Sequence, residues 1–350
     1  LAAPVVTSWA ARGCIAETLD HAIPMIYVEL NNKVRNEADL VLTLGSRLGE
    51  TDWWGKAPYW APADKQKMIQ VDIDESILGM NKPADLPILS DVGAFLRMLN
   101  TELKQSEVPR KSNRVSVLNR YQELKQKERA KLDKELKDEG VPMNPAHVAT
   151  ICRSIFKDDA IVVFDGGNTA VWGNFYHEAR ATNTLLSTFK FGMLGAGVAQ
   201  ALGAAAAFPD RQVYCLIGDG AFGFHPQEVE TAVRNNFKVI YLVYCDLQWG
   251  MVKMTQQFAF HPVKTVLFKS LQPHETINAD LNEIRFDELA KSMGAHGERV
   301  SKLEDLRLAI ERCQKHAGPS VIHVDVNRVK HMWAPGLMHF KDMHQEPKGK

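Results

Sequence analysis

The residues best suited to chemistry lie in one stretch, GDGAFGFHPQEVETAVRNNFKVIYLVYCDLQWGMV, residues 218–252. Gly218 and Gly220 let the chain turn tightly and bare backbone N–H groups, and Asp219 between them offers a carboxylate. A carboxylate repels a diphosphate unless a divalent cation lies between them. Asp246 follows the next apolar run, and the helix and strand between have the length needed to return the chain beside Asp219. Two carboxylates at neighbouring strand ends suit one hard cation with oxygen ligands. A lone Gly-Asp-Gly is often only a turn. The addition of Asp246, of the glycine-rich FGMLGAGVAQALGAAAA upstream and of QWGMV downstream points to a metal site. Gly192, Gly195 and Gly197 permit either tight helix-on-sheet packing or approach to a ligand, and 201–207 reads as core helix.

To position these groups the chain needs strands that end in polar loops. Apolar runs at 161–164, 213–217, 239–244 and 320–326 have that form; the first three stop at Asp165-Gly166-Gly167-Asn168, Gly218-Asp219-Gly220 and Cys245-Asp246. A helix is expected at 226–235. Strand, polar loop and helix in alternation specify a doubly wound sheet with ligands at the strand C-termini. An earlier α/β unit carries runs at 41–44 and 68–73, each with the length and abrupt polar stop of a buried parallel strand, and a closing helix from Asp91. Between the two, RYQELKQKERAKLDKELKDEG spaces Glu and Lys as an exposed helix does, a solvated connector or else a partner-binding helix. The fold class is α/β: two doubly wound parallel-sheet domains joined by a charged helical linker. The divisions are 1–100, 101–143 for the solvated linker, 144–335 from Asn144-Pro145 onward, and 336–350 for a C-terminal tail or lid.

Length and composition agree. A chain of 350 residues suits two cores, and 45% hydrophobic with 24% charged residues is a globular balance. Lys plus Arg equals Asp plus Glu at 42 each, so no global field attracts nucleic acid or a membrane surface. Cys14, Cys152, Cys215, Cys245 and Cys313 form no C-x-x-C pair, and the expected setting is reducing and cytoplasmic. The apolar run 195–208 is too short and too rich in Ala and Gly to span a bilayer. The opening LAAPVVTSWAARGC lacks an initiating Met and starts inside a strand-and-turn unit, which suggests a processed or partial chain.

The 218–252 segment resembles the cofactor motif of thiamine-diphosphate-dependent enzymes of the acetolactate synthase, pyruvate oxidase, benzoylformate decarboxylase and 2-hydroxyacyl-CoA lyase superfamily. In that pattern the Gly-Asp-Gly is followed by two Asn, the second a metal ligand; here the pair is Cys245-Asp246. The resemblance implies Mg2+ held by Asp219, Asp246 and the carbonyl of Gln248, with Gly218, Gly220, Ala221, Gly250 and Met251 around the diphosphate. Gly167, Asn168 and Thr169 match a further diphosphate loop, without the usual Gln-His pair. FGMLGAG is similar to the segment bearing the large apolar residue beneath the thiamine, so Gly192, Met193 and Leu194 are expected at the cofactor, Leu194 folding it into a bent shape. NEADLVLTLGSRLGE and VDIDESILGMNKPADLPILSDV resemble central-domain segments that bind FAD or another nucleotide in some relatives, which would bring Gly45, Arg47 and Asp74 to a nucleotide. The same residues serve equally as strand-end turns.

The expected reaction is cleavage or formation of a C–C bond next to a carbonyl of a 2-oxo acid or acyl-CoA. Such enzymes also use a pyrimidine-binding domain whose Glu activates the cofactor. It is expected from a longer precursor or a second chain, within a homo-oligomer, dimer or tetramer. The alternative is a noncatalytic or split-enzyme subunit that binds cofactor only with that partner. No residue here is firmly catalytic; His225 is a weak candidate for proton transfer against an ordinary loop histidine. Phe224 and Trp249 flank the cation strands, and Trp53 and Trp54 either line a nucleotide site or cap the first domain. A nicotinamide dehydrogenase is disfavoured, because no G-x-G-x-x-G follows an early strand.

Overall fold

A computed structural model describes residues 2–106, 112–188 and 191–339. The lid expected in 336–350 lies, from 340 on, outside the described residues. Two compact units form: one from 2–9, 19–129 and 336–339, the other from 10–18 and 130–335.

In the first unit β1 (Val5–Thr7) pairs in parallel with β2 (Ala22–Pro24), and β3 (Leu40–Leu44), β4 (Lys67–Asp72) and β5 (Leu86–Leu89) make a parallel three-stranded sheet in chain order. Asp91 caps the following helix, Val92–Gln105, by accepting the Ala94 N–H. The buried strand expected at 41–44 is a half-open one. Thr43 points inward, while Leu40, Leu42 and Leu44 of β3 and Leu86 and Leu89 of β5 are exposed. A short apolar run does not reveal whether both sheet faces are covered; only the neighbours decide that.

The charged segment forms the helix Ser112–Leu132, but it is not simply solvated. Tyr121 is buried and its hydroxyl donates to Glu37, which also pairs with Arg120; Lys125 donates to the Ala22 carbonyl, and Glu128 accepts the Leu30 N–H. Charges spaced for self-pairing on a helix are here used against the unit beneath it.

The second unit holds β6 (Ile161–Asp165), β7 (Leu185–Ser187), β8 (Val213–Gly218), β9 (Val239–Cys245), β10 (His296–Val300) and β11 (Ser320–Asp325). They are all parallel, in the order β10-β11-β9-β8-β6-β7. β8 and β9 are buried along their whole length, as their continuous apolar runs require. Cys215, Ile217, Tyr241 and Val243 pack on one face against Val198 and Ala201 of the helix Ala196–Ala207 and against Phe222 and Phe286. The helix expected at 226–235 is shorter, Glu228–Arg234, because Pro226-Gln227 is spent in the turn before it. From β6 the chain runs to the edge strand β7 and returns to β8 on the other side of β6. That reversal opens a crevice at the strand C-termini. The edge strands β7 and β10 are short or charged and give no apolar run in sequence. Among the described residues no helix is long and apolar enough to cross a membrane.

Residues 10–18 are held in the second unit by a buried guanidinium. Arg12 donates from Nε and Nη2 to the Glu17 carboxylate, from Nη1 to the Asn174 carbonyl and side-chain oxygen, and from Nη2 to the His177 carbonyl. Removing Glu17 would leave that charge without its counterion, a loss of about 3–5 kcal/mol. Glu17→Ala is expected to lower the denaturation midpoint of this unit accordingly, and a urea curve superimposable on wild type would contradict the ion pair's role.

Candidate functional site

Register places Gly218 of β8 opposite Tyr244 of β9, so the residues just beyond, Asp219 and Asp246, leave adjacent parallel strands side by side. Asp219 is buried, and its Oδ2 accepts the N–H groups of Asp246 (3.2 Å) and Leu247 (2.8 Å) while Oδ1 accepts that of Gly220 (2.7 Å). Asp246 is also buried; its Oδ2 accepts from Gln248 Nε2 at 2.9 Å and lies 2.7 Å from His331 Nδ1. Burial, and then the Asp246 carboxylate, push the Asp219 acid up to about 7, against the pull of the Leu247 and Gly220 amides. Two hard oxygen donors whose charges raise each other's cost form a donor set that a divalent cation would relieve.

Beside them two helices begin. Gly167–Tyr176 follows β6 and Gly250–Phe260 follows β9, neither with a side-chain N-cap bond, so the N–H groups of their first turns can bind an anion. They meet closely. A Cβ at Gly250 would collide with the Asn168 amide, and one at Gly167 with the Met251 side chain. Asn168 is 4% exposed, and among the described residues neither its Nδ2 nor its Oδ1 has a hydrogen-bond partner. A buried amide without partners costs roughly 1–3 kcal/mol unless a polar ligand meets it. Carboxylates for a cation, helix starts for phosphate and an unpaired amide between them therefore fit a metal-bound diphosphate.

Gly218, Asp219, Gly220, Ala221, Asp246, Gln248, Gly250, Met251, Gly167, Asn168 and Thr169 thus gather at the ends of β6, β8 and β9. Thr169 Oγ1 lies 3.0 Å from where a Gly218 Cβ would be. The Gln248 side chain, for which only the carbonyl was expected to matter, donates to Asp246. Leu194 packs partly on the core, and Gly195, with φ +87°, lets that turn approach Ala221, Phe224 and His225. Gly192 and Met193 are exposed, and among the described residues nothing lies within 4 Å of a Cβ placed at Gly192, so neither is brought to the carboxylates. His225 is exposed on the turn after Phe224. A cavity of about 320 Å³ is lined by Asp219 and Gly220 together with Phe224, Trp249, Leu281 and Phe286.

In the first unit Gly45 takes φ +63°, Arg47 pairs with Glu50 at 2.9 Å and Asp74 accepts from Ser76. These groups are used in local turns, and the structure gives the expected nucleotide site no support. Trp53 stacks on Tyr59 with ring centroids 3.5 Å apart, which makes it part of that unit's packing.

Sequence reasoning missed Asp165 and His331. Asp165 accepts from Gly166 (2.5 Å) and Gly197 (2.7 Å), tying the β6 loop to the start of the Ala196–Ala207 helix. Its position as the polar stop of β6 was the available signal. His331 lies on the helix Arg328–Met332 after β11, and no spacing relates it to Asp246.

Residues 1–99 match the thiamine pyrophosphate enzyme central domain, and residues 165–324 the thiamine pyrophosphate enzyme C-terminal TPP binding domain. The chain belongs to this family of thiamine-diphosphate enzymes and carries its central and C-terminal domains. A probable acetolactate synthase of Mycobacterium bovis is 34% identical over 191 residues, 54% of this chain and 32% of that protein. A 2-hydroxyacyl-CoA lyase 2 of Caenorhabditis elegans is 27% identical over 306 residues (86% and 44%). A sulfoacetaldehyde acetyltransferase of Castellaniella defragrans is 25% identical over 300 residues (80% and 47%). The chain spans less than half the length of each of these three relatives.

The paired carboxylates make stability depend on pH. An unfolded Asp ionises near pH ~3.9, whereas native Asp219 holds its proton to about 7. Its contribution is therefore fully present below about pH 4 and is lost as pH rises through about 7. In chelator-treated protein, wild-type stability should fall across this window more steeply than that of Asp219→Asn, by at most about 1.4 kcal/mol per pH unit. Parallel pH profiles would refute the pairing.

Proposed function

We propose that this chain forms the magnesium- and diphosphate-binding part of a thiamine-diphosphate-dependent enzyme that breaks or makes a C–C bond next to a carbonyl. The observation that carries the reading is the pair Asp219 and Asp246 at adjacent strand ends, with Asp219 Oδ2 bonded to the peptide N–H groups of Asp246 and Leu247. In this reading Asp219, Asp246 and the Gln248 carbonyl hold Mg2+. Asn168 and the first turns of Gly167–Tyr176 and Gly250–Phe260 hold the diphosphate, and Leu194 supports the thiamine from the core side. When bound, thiamine diphosphate supplies the nucleophilic carbon and electron sink that this reaction class needs. Phe224, Trp249, Leu281 and Phe286 give the cavity beside Asp219 a largely apolar wall.

The substrate class is a 2-oxo acid or acyl-CoA. Relatives named as synthase, lyase and acetyltransferase support the class without separating decarboxylase, lyase and carboligase. Because the relatives are about twice as long, we assign activation of the cofactor ring to a pyrimidine-binding domain from the same precursor or a second chain, within a homo-oligomer. The cysteines in the described structure are free, which supports a reducing, cytoplasmic setting.

Calorimetric titration with thiamine diphosphate and Mg2+ tests the site. Asp219→Asn and Asp246→Ala should each weaken Mg2+-dependent binding by at least about tenfold, and affinity equal to wild type would remove the basis of this reading. Product analysis with pyruvate, and with formyl-CoA plus aldehydes, then separates decarboxylation from carboligation.

A further inference from the structure

The carboxylate of Asp246 is anchored from one side only. Both of its side-chain donors, Gln248 Nε2 and His331 Nδ1, meet Oδ2; among the described residues no bond falls on Oδ1. A carboxylate has two equivalent oxygens and rotates between them unless something distinguishes them, and here the donors do so. His331 is itself fixed on every side. Its side chain is 5% exposed, its Nε2 lies 3.0 Å from Thr169 Oγ1, its carbonyl accepts the Trp172 indole N–H at 2.9 Å, and its ring lies 5.7 Å from that of Tyr244. The helix that carries it is capped by Asn327, which accepts the Lys330 N–H. The ring therefore bridges the loop after β9 to the helix after β6, the two segments that would face a metal-bound diphosphate.

We propose that His331 is a positioning residue for the metal ligand Asp246. Its Nδ1–H holds Oδ2, the Thr169 hydroxyl donates to Nε2 and keeps the proton on Nδ1, and Oδ1 is thereby presented to the cation. An ionised carboxylate only accepts, so Nδ1 must donate; in the neutral ring Nε2 then accepts, and the threonine hydroxyl supplies the proton. Ligand orientation by such outer contacts commonly accounts for about 10–100-fold in metal affinity. Because the ring is buried behind the carboxylate, it acts through Asp246 and needs no contact with substrate. The role rests on the magnesium and diphosphate reading above.

Two measurements on the whole chain test it. Mg2+ titrated into the chain with thiamine diphosphate, followed by calorimetry, should show binding weakened about 10–100-fold in His331→Leu. His331→Asn, whose side-chain N–H falls close to the Nδ1 position, should recover most of the loss. Independently, long-range proton–nitrogen NMR spectra of the imidazole, assigned with His331→Asn, should show Nδ1 protonated in wild type. That signature belongs to the native ring and does not require a variant to fold. Wild-type affinity in a folded His331→Leu protein, or an unprotonated Nδ1, overturns the positioning role while leaving the site reading intact. Absence of Mg2+-dependent binding by wild type overturns the site reading and the positioning role with it.

Discussion

Two carboxylates buried next to each other, Asp219 and Asp246, are the constraint around which the second unit is arranged. Each ion removed from water costs several kcal/mol even after the protein relaxes, and two of like sign cost more. Three backbone amides converge on Asp219, and two side-chain nitrogens, from Gln248 and His331, converge on Asp246. These contacts offset part of the cost, yet burial and then the Asp246 carboxylate still push the Asp219 acid up to about 7. A divalent cation between the two carboxylates would turn the repulsion into attraction. The same arrangement therefore strains the protein alone and suits it to a metal-bound anion.

The sheet makes this arrangement cheap to hold. Parallel strands in register bring both loops to the same end without further design, and the reversal between β7 and β8 leaves that end open. Glycine does the rest where loops must touch. Gly250 admits the Asn168 amide, and Gly167 admits Met251. Behind the carboxylates lies a second set of charges. Asp280 receives Lys253 Nζ at 2.7 Å and pairs with Arg328, whose guanidinium also donates to Gln248 Oε1 at 3.2 Å. Lys253 is almost fully buried, so this pairing satisfies a charge that would otherwise destabilise the loop after β9. The helix after β11 thus contributes Arg328 and His331, one to each residue of the Asp246 and Gln248 pair.

Much of this was legible in the chain itself. Continuous apolar runs ending in Asp165, Gly218-Asp219 and Asp246 marked the central strands within a residue or so, because a strand buried on both faces has no choice but to be apolar throughout. Asn144-Pro145 marked a helix start because a side-chain cap followed by a proline needs no tertiary help; Asn144 accepts the Ala146 N–H. The edge strands β7 and β10 escaped notice because an edge needs no continuous apolar run. The open face of β3 was misread because a run of Leu and Val looks the same whether one face is covered or two. Tyr121, Lys125 and Glu128 of the charged helix looked solvated because spacing on a helix does not say what lies beneath it.

By itself, the sequence determined which carboxylates stand at which strand ends and where glycine allows the backbone to come close. These are properties of residue type and local spacing. Tertiary structure alone decided that His331, far along the chain, meets Asp246, that Asp165 ties the β6 loop to the start of a helix, and that the Asn168 amide meets no partner among the described residues. Those pairings depend on strand order across the sheet, and strand order is settled by packing the whole set of helices and strands at once.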